Sequence, residues 1–381
     1  MIRNLCGRLL KTCAVSVVVA AVTVSQTASA SEFPNIDDLM LRLMSRDNVP
    51  GAAVALVKDG SIVLEKGYGF RDLEGHAPVT TATFFNIGSI SKSFTALGVA
   101  QLTDQQKADL DAPVINYLPD FRLSDPKAAQ AITLRRLLSH SSGLPADEQW
   151  PRQVPPTRKG IVAEFATIPI TASPGTRFQY CSRCVVLAGY VLEQITGQSW
   201  EAYTRAHIFL PLGMTTASFG PQGLEEATDH AQPYRHDPIS GDVPVPWGRL
   251  LYLDPLGPGG GIDANIDDMA RYALLQLTDG ATAGNRLVSS QMMAESHRPQ
   301  IAVGADWPGA AGFHDLHYAL GWFTSNVGGA HLIFHNGANP GFRASIFLVP
   351  SAKAGIVILT NGESDAFPAT ATRILLEELL R

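Results

Sequence analysis

The order of strand and helix patterns along the chain constrains its fold more than any other feature. Strand patterns occur near both ends, whereas residues 89–295 have mostly helical patterns. Near the start, Gly51 to Val57 and Ser61 to Phe70, separated by Lys58-Asp59-Gly60, predict a β-hairpin. Because strands need partners, this order predicts an α+β fold: an antiparallel sheet built from both chain ends, flanked by helices, with a mostly helical inserted lobe.

The remaining patterns set the expected bounds of the two lobes. Further strands are predicted at Val79 to Phe85, Leu320 to Thr324, Ala330 to Phe334, Ala344 to Val349 and Gly355 to Thr360. Helices are predicted at Ile36 to Leu43, Leu134 to Leu138, Val185 to Ile195, Trp200 to Ile208, Asp267 to Leu277 and Ala369 to Leu380, and a loop at Gly257 to Gly261. We expect the α+β lobe at about residues 31–88 and 296–381, the helical lobe at about 89–295, and a functional cleft between them.

The first 30 residues have the pattern of a secretory signal peptide. A basic start is followed by an apolar stretch from Cys13 to Val24, which is too short to cross a bilayer. Ala28-Ser29-Ala30 then supplies a cleavage site of small residues. We therefore expect cleavage after Ala30 and a secreted or periplasmic protein with no stable membrane anchor.

The charge balance argues against a nucleic-acid partner. The chain has 29 Lys and Arg and 35 Asp and Glu, and residues 1–30 contain three of the basic residues and none of the acidic ones. Removal of this segment leaves 26 basic and 35 acidic residues and a net charge of −9. Nucleic-acid binding needs a basic surface, so we expect no nucleic-acid partner.

The sequence leaves the oligomeric state open.

A Ser-x-x-Lys tetrad, Ser89-Ile90-Ser91-Lys92, lies at a predicted strand-to-helix junction. On a helix Lys92 projects from the same face as Ser89, one turn away, where its amine can take the hydroxyl proton and create a nucleophile. The amide of a serine at a helix start is also free to stabilise an oxyanion. By itself the tetrad fits a helix cap followed by a solvated lysine equally well.

Two further motifs contain residues suited to the same chemistry. Tyr180 precedes a predicted helix, and a tyrosine close to a lysine ionises more easily and can act as a general base. His335-Asn336-Gly337-Ala338 ends a predicted strand, where Gly337 would let a substrate backbone approach closely. Taken singly, Tyr180 and His335 fit structural roles as well.

In their order along the chain, these three motifs resemble the serine β-lactamase and penicillin-binding-protein family. The resemblance is to its class C β-lactamase and DD-peptidase branch, which also includes esterases and D-aminopeptidases, and implies one hydrolase domain over residues 31–381. Further segments resemble habitual positions of that branch: Ile132 to Leu144, Pro211 to Met214, Gly259 to Gly261, Tyr318 to Trp322, Pro340 to Phe342 and Leu359 to Gly362.

The resemblance implies a role for each catalytic motif residue. Ser89 would be the acylated nucleophile and Lys92 its proton-handling partner. Tyr180 would be the base that activates Ser89 and later the deacylating water. The amides of Ser89 and Ala338 would form the oxyanion hole. The implied reaction is acyl transfer to Ser89 and then hydrolysis of a small-molecule or short-peptide substrate, with no metal and no cofactor.

The expected substrate-binding residues include one departure from the family pattern. His335 and Gly337 would line the substrate, but the second motif is Tyr180-Cys181-Ser182 where Tyr-x-Asn is common. An asparagine amide both donates and accepts, whereas serine is shorter and has one donor. Ser182 therefore puts recognition of amide side chains in doubt and favours esters.

Cysteines and arginines near these motifs leave alternatives open. Cys181 and Cys184 could form a disulfide in an exported protein, but a bridge over two residues is often strained, so two buried structural thiols are the preferred interpretation. His314-Asp315-Leu316-His317 lies too far along the chain to indicate a zinc site with them. Arg183 and Arg343 could bind a substrate carboxylate, although ion-paired arginines are more common.

Three functions follow from the sequence. The first is a serine hydrolase acting on amides such as β-lactams or D-amino-acid peptides. The second is a carboxylesterase on the same fold, which Ser182 favours. The third is a non-catalytic binding protein, against which the intact Ser89, Lys92 and Tyr180 argue, because binding alone needs no activated nucleophile.

Overall fold

The structure is a computed structural model that describes residues 35–380 except 283, 311, 314 and 328. The predicted signal peptide, residues 1–30, and His314 lie outside the described residues. Within the described part of the chain, no helix has the length and apolar character needed to cross a membrane.

The strands and helices have the following bounds. The strands are β1 Gly51–Lys58, β2 Ser61–Asp72, β3 Ala77–Pro78, β4 Phe85–Asn86, β5 Ser218–Phe219, β6 Tyr234–Asp237, β7 Gly241–Pro244, β8 Ile262–Ala264, β9 Ala281–Thr282, β10 Asn285–Arg286, β11 Ile301–Ala302, β12 His317–Tyr318, β13 Phe323–Val327, β14 Ala330–Asn339, β15 Phe342–Val349 and β16 Ala354–Thr360. The α-helices are α1 Ile36–Asp47, α2 Ser91–Asp104, α3 Pro126–Ala129, α4 Leu134–Leu138, α5 Arg158–Glu164, α6 Ser182–Thr196, α7 Trp200–Thr204, α8 Leu210–Leu212, α9 Gly220–Glu225, α10 Leu253–Gly260, α11 Ile266–Leu277, α12 Ser290–His297 and α13 Ala366–Leu379. Short 3₁₀ turns include Gly88–Ile90 and Asp147–Gln149, and Arg205–Phe209 forms a π-helical turn.

Strands from the two ends of the chain share one sheet, as the sequence predicts. Among the described residues its order is β11-β12-β13-β14-β15-β16-β1-β2-β3, and neighbouring strands are antiparallel. β1 pairs with β16 in a register that sets Ala52 opposite Thr360. The predicted α+β class is therefore confirmed, and the N-terminal hairpin depends on the C-terminal strands for its partner.

The sheet is covered on both faces. Ala52, Val54 and Leu56 of β1 belong to the apolar cluster with α1 and α13, whereas the alternate residues Ala53 and Ala55 belong to the larger core with the other helices. Side chains alternate across a strand, so a strand buried on both faces is apolar throughout, as β1 is. α11, which lies within the range expected for the helical lobe, packs against β1, β2 and β16.

The predicted strand Val79 to Phe85 is wrong for most of its length. Only its last residue enters a strand, the two-residue β4. Earlier in the segment, the hydroxyls of Thr80 and Thr83 each donate to Asp229 over 2.7 Å. These side-chain bonds hold a turn, so the β-branched residues that suggested a strand anchor a loop instead.

The predicted loop at Gly257 to Gly261 is also wrong, because residues up to Gly260 belong to α10. The helix packs against α6 at very short range. A Cβ on Gly189 of α6 would lie 2.7 Å from the Pro258 ring, and one on Gly259 would lie 3.2 Å from the Ser182 carbonyl oxygen. The glycines thus serve close helix packing, which brings the α10 carbonyls to the buried end of α2.

Candidate active site

Ser89 lies in the turn Gly88–Ile90, which leads directly into α2 and packs against β14. Gly88 has a φ of +53°, and a Cβ there would lie 2.7 Å from the Ala338 amide nitrogen. A glycine is needed because no other residue combines this backbone with so close an approach. The structure therefore brings Ser89 and the Ala338 amide together, as an oxyanion hole requires.

Lys92 is fully buried beneath Ser89 in the first turn of α2. Its Nζ atom lies 2.9 Å from the Ser89 hydroxyl oxygen and donates to the Gly259 carbonyl oxygen over 2.6 Å. Burial lowers the pKa of Lys92 to about 8, against the opposing effect of the Asp147 charge. A fraction of the amine is thus uncharged near neutral pH and able to accept a proton from Ser89.

Tyr180 stands on the other side of the nucleophile, two residues before α6. Its ring centroid lies 4.8 Å from the Lys92 Nζ atom, and Tyr180 lines the same cleft as Ser89. Burial raises the pKa of Tyr180 far above its usual range, against a smaller opposing effect of the Ser89 side chain. The expectation that Tyr180 ionises more easily is therefore wrong: desolvation of the phenolate outweighs the nearby lysine.

His335 is buried in β14 and is held by the protein at both ring nitrogens. Its Nδ1 donates to the Asn336 carbonyl oxygen over 2.7 Å, so its Nε2 accepts from the Tyr318 hydroxyl over 2.9 Å. Burial lowers the pKa of His335 to about 3, which keeps the ring neutral. His335 also lines the cleft with Ser89, so its expected place beside a substrate stays a prediction, and both of its ring nitrogens are already bound within the protein.

Gly337 makes room for the chain's own backbone. A Cβ at this position would lie 2.0 Å from the Ile87 carbonyl oxygen. The chain's own packing therefore already requires a glycine here, and because Gly337 also lines the cleft, the approach of a substrate backbone to this strand stays a prediction. Among the described pairings, β14 pairs with β13 as far as Phe334, which lies opposite Phe323. Beyond Phe334, β14 pairs with β15 on one edge and packs against the turn that carries Ser89.

Ser182 is bound to Asp147, a residue that the sequence analysis did not identify. The Ser182 amide donates to Asp147 Oδ1 over 2.7 Å and its hydroxyl donates to Oδ2 over 2.6 Å. The single hydroxyl donor of Ser182 is therefore occupied, which contradicts a donor role toward substrate. Asp147 belongs to no recognisable motif and lies 35 residues from Ser182, so only the fold reveals the pair.

Cys181 and Cys184 form a disulfide, so the preferred expectation of two free thiols is wrong. The sulfur atoms are 2.14 Å apart and the Cα atoms 5.3 Å apart, a separation within the ordinary disulfide range. The cap of α6 and its third residue bring the two sulfurs into contact. The bridge lies immediately after Tyr180.

The two arginines considered as carboxylate ligands are ion-paired within the protein. Arg183 pairs with Glu164 over 3.1 Å, and Arg343 pairs with Asp365. The more common alternative named for them is therefore confirmed.

A buried hydrogen-bond network supports the turn that carries Ser89. The Asn86 carbonyl oxygen atom Oδ1 accepts from the Gly88 amide over 3.0 Å and from the Asn339 side chain. Its Nδ2 donates to Asp263 over 2.8 Å, and the Tyr252 hydroxyl donates to Asn339 over 3.0 Å. Burial raises the pKa of Asp263 well above its usual range. None of these residues was identified from the sequence, since no local spacing links them.

A cleft of about 1730 Å³ opens at Ser89. Tyr180, Asp147 and β14 residues 335–339 line it, and so does the start of α10. Apolar parts of its wall include Trp150, Trp307 and Phe334. A partly apolar cleft with a few convergent polar groups is the usual form of a small-molecule site.

Comparisons with known proteins identify the family of this chain. The model of the Beta-lactamase family matches residues 36–380. Penicillin-binding protein 4 of Amycolatopsis lactamdurans is 32% identical over 354 residues, which cover 88% of this chain and 87% of that protein. Protein flp of Staphylococcus aureus (strain MRSA252) is 28% identical over 338 residues, covering 87% of this chain. The match spans 64% of flp, less than two thirds of its length.

Solved structures have the same fold. The octameric penicillin-binding protein homologue from Pyrococcus abyssi superposes with a TM-score of 0.77 at 27% identity, over 90% of this chain and 77% of that one. The crystal structure of SurE superposes with a TM-score of 0.76 at 23% identity, over 93% and 77%, which is a likeness of fold alone. The family match over nearly all described residues shows that this chain belongs to the Beta-lactamase family.

Proposed function

We propose that this protein is a serine hydrolase that forms an acyl-enzyme on Ser89. The observation that carries the proposal is the contact of 2.9 Å between Lys92 Nζ and the Ser89 hydroxyl, in a buried setting that lowers the pKa of Lys92 to about 8. The neutral amine accepts the hydroxyl proton as Ser89 attacks the substrate carbonyl. Tyr180, kept neutral by burial, passes its proton to the leaving group and regains one from the protonated Lys92 against which its ring lies.

The amides of Ser89 and Ala338 would then stabilise the oxyanion, each contributing roughly 3–4 kcal/mol to lowering the barrier. In the second half of the reaction, water attacks the acyl-Ser89 ester. Neutral Lys92 takes up the water proton, Tyr180 gives its own proton to the departing Ser89 oxygen, and Lys92 then returns a proton to Tyr180. The same three side chains thus serve both steps.

Two substrate classes are in question, and one contact favours the second. The resemblance to the family favours amides such as β-lactams or D-amino-acid peptides, and one relative is named as penicillin-binding. The Ser182 hydroxyl, however, donates to Asp147 and is not free for a substrate amide. We therefore propose that short esters are better substrates than acylamino-bearing amides, which makes the protein a carboxylesterase on this fold.

Covalent labelling tests the proposal. The protein is incubated with a penicillin, a fluorophosphonate and a panel of short p-nitrophenyl esters, followed by intact-mass measurement and peptide mapping. We expect an adduct on the peptide that contains Ser89 and none in Ser89→Ala, with circular dichroism to show that this variant is folded. Labelling that survives in Ser89→Ala would overturn the assignment, and labelling without turnover of any substrate would favour the binding protein.

We also propose that the hydrolase is exported, on the basis of the signal-peptide pattern of residues 1–30. Expression of the full chain in a bacterium with a secretion pathway, followed by N-terminal sequencing, should give a mature protein that begins at Ser31. A cytoplasmic product that retains its first residues would contradict export.

A further inference from the structure

Asp147 contacts two residues that line the cleft, Tyr180 and Ser182. Besides both oxygen atoms accepting from Ser182, its own amide donates to the Tyr180 carbonyl oxygen over 2.9 Å. It begins the short turn Asp147–Gln149, is partly exposed, and lines the cleft with Ser89. Asp147 therefore binds the chain on both sides of Cys181, Tyr180 through its backbone amide and Ser182 through its carboxylate, and it lines the cleft.

Among the described residues, Asp147 is the acidic group whose charge raises the pKa of Lys92. Tyr180, His140 and His335 are the other titratable groups that interact with Lys92. Burial keeps both histidines neutral by lowering their pKa values, and it keeps Tyr180 neutral by raising the pKa of its phenol. When Lys92 is in its reactive, uncharged form, the Asp147 carboxylate has lost the cation that faces it.

We infer that Asp147 is a positioning residue for Tyr180 and Ser182 and that its charge makes the cleft select substrates with a cationic acyl group. This inference rests on the proposed function. Each carboxylate oxygen accepts one bond from Ser182 and has a further lone pair for a second partner. A substrate ammonium near the scissile carbonyl replaces the charge that Lys92 gives up, whereas a carboxylate there is repelled. The substrate class is therefore a small ester with an ammonium-bearing acyl group.

A matched pair of esters isolates this charge effect. The p-nitrophenyl esters of N,N,N-trimethylglycine and of 3,3-dimethylbutanoic acid have the same shape and differ by one positive charge. kcat/KM is measured for both on the wild type, Asp147→Asn and the control Glu148→Gln, each divided by the ester's hydroxide rate constant. Asparagine can keep both contacts to Ser182, accepting from the amide and donating to the hydroxyl. Glu148 is exposed on the same turn and lines the same cleft.

The preference for the cationic ester is expected to fall roughly 5- to 50-fold in Asp147→Asn, because an attraction between two charges in a partly solvated cleft is lost. In Glu148→Gln we expect the ratio to stay within about twofold of wild type, because an exposed charge is screened. An unchanged ratio in Asp147→Asn would overturn the inference, as would equal loss in both variants.

The pH profile separates a charge effect from a purely structural one. Without Asp147 the charged form of Lys92 is less stable, so its pKa falls and the acid limb of kcat/KM moves to lower pH by roughly half a unit to one unit. A merely structural role would lower the rate at every pH and leave the limb in place, and that result would overturn the inference.

Two further outcomes keep the inference testable if Asp147→Asn does not fold. In the wild type the normalised preference for the cationic ester should weaken as salt increases, and absence of any preference would overturn the inference. Turnover of the neutral ester without a charge preference refutes this inference alone. If neither ester is hydrolysed and the fluorophosphonate does not label Ser89, the proposed function fails and the inference fails with it.

Discussion

At the scale of single residues, burial acts in opposite directions on the two proton carriers beside Ser89. It lowers the pKa of Lys92 to about 8 and raises that of Tyr180 far above its usual range. In each case the low-dielectric surroundings disfavour the charged form. Tyr180 is therefore held neutral, whereas Lys92 gains a neutral fraction near pH 7 that grows as pH rises toward 8; a neutral lysine accepts a proton and a neutral tyrosine donates one.

This assignment predicts how activity depends on pH. Below about pH 8 Lys92 is protonated and cannot accept the Ser89 proton, so kcat/KM should rise with pH along an acid limb with an apparent pKa near 8. Lys92→Arg keeps the charge but stays protonated, and we expect it to lower kcat/KM by roughly 10²–10⁴-fold. Lys127→Arg at an exposed lysine is the control. A flat profile between pH 6 and 9 would contradict the assignment.

Tyr180→Phe tests the second proton carrier. The variant removes the phenol hydroxyl from the cleft that contains Ser89 but keeps the ring against Lys92. We expect kcat to fall roughly 10²-fold with the fold intact, because the proton relay is lost. Steady-state kinetics on a short ester would measure it, with Tyr190→Phe farther along α6 as the control. Activity within a few-fold of wild type would show that Lys92 or another group suffices.

The sequence predicted residues with fixed local spacing and missed those that meet only through the fold. Ser89 and Lys92 are one helical turn apart, so their contact follows from the tetrad itself. Asp147 and Ser182 are 35 residues apart in two unrelated segments. The direction of the Tyr180 pKa was missed for the same reason, because burial is a property of the packed molecule.

At the scale of secondary-structure elements, the contact between β14 and the Ser89 turn determines the geometry of the site. Gly88 and Gly337 face each other across this contact, and neither has space for a Cβ atom. The Ala338 amide can approach Ser89 only because both positions are glycine. The proposed oxyanion hole thus depends on how closely a strand packs against a turn.

Gly337→Ala should open this contact. The added Cβ would lie 2.0 Å from the Ile87 carbonyl oxygen, and since backbone must shift, we expect a loss of about 1–3 kcal/mol in the free energy of unfolding. The displaced Ala338 amide should also lower kcat by roughly 10²–10³-fold. Urea denaturation and ester kinetics would measure both. Gly248→Ala, where a Cβ meets open space, is the control, and equal behaviour of the two variants would refute this account.

Elements were predictable where periodicity was strong and local. The hairpin β1–β2 and helix α4 lie where the patterns placed them. The predicted strand Val79 to Phe85 failed because threonine hydroxyls bind Asp229, and the predicted loop Gly257 to Gly261 failed because its glycines permit close helix packing. In both cases tertiary contacts outweigh the local propensity of the residues.

At the scale of the whole molecule, one buried network connects parts that are distant in sequence. Asp263 of β8 and Asn86 of β4 bind each other, and Asn86 binds Asn339 of β14 and the Gly88 amide. Asp263 has a second carboxyl oxygen, Oδ2, that is buried without a hydrogen-bond partner among the described residues. Such a carboxyl is costly to ionise, so the support of the Ser89 turn depends on its remaining protonated.

Asp263→Asn should therefore become more stabilising, relative to the wild type, as pH rises. The folded-state pKa of Asp263 lies well above its usual value, so its contribution is present at low pH and is lost as pH rises toward that pKa. Above about pH 4 the unfolded chain releases this proton while the folded protein holds it, which costs the wild type roughly 1.4 kcal/mol per pH unit. Asparagine keeps the acceptor for Asn86 and has no proton to release.

Urea denaturation at pH 5 and pH 8 measures this effect. The difference in unfolding free energy should grow in favour of Asp263→Asn between the two pH values. The control Asp38→Asn, at an exposed carboxylate, should show a constant difference. A difference for Asp263→Asn that does not change with pH would mean that Asp263 is ionised in the folded protein.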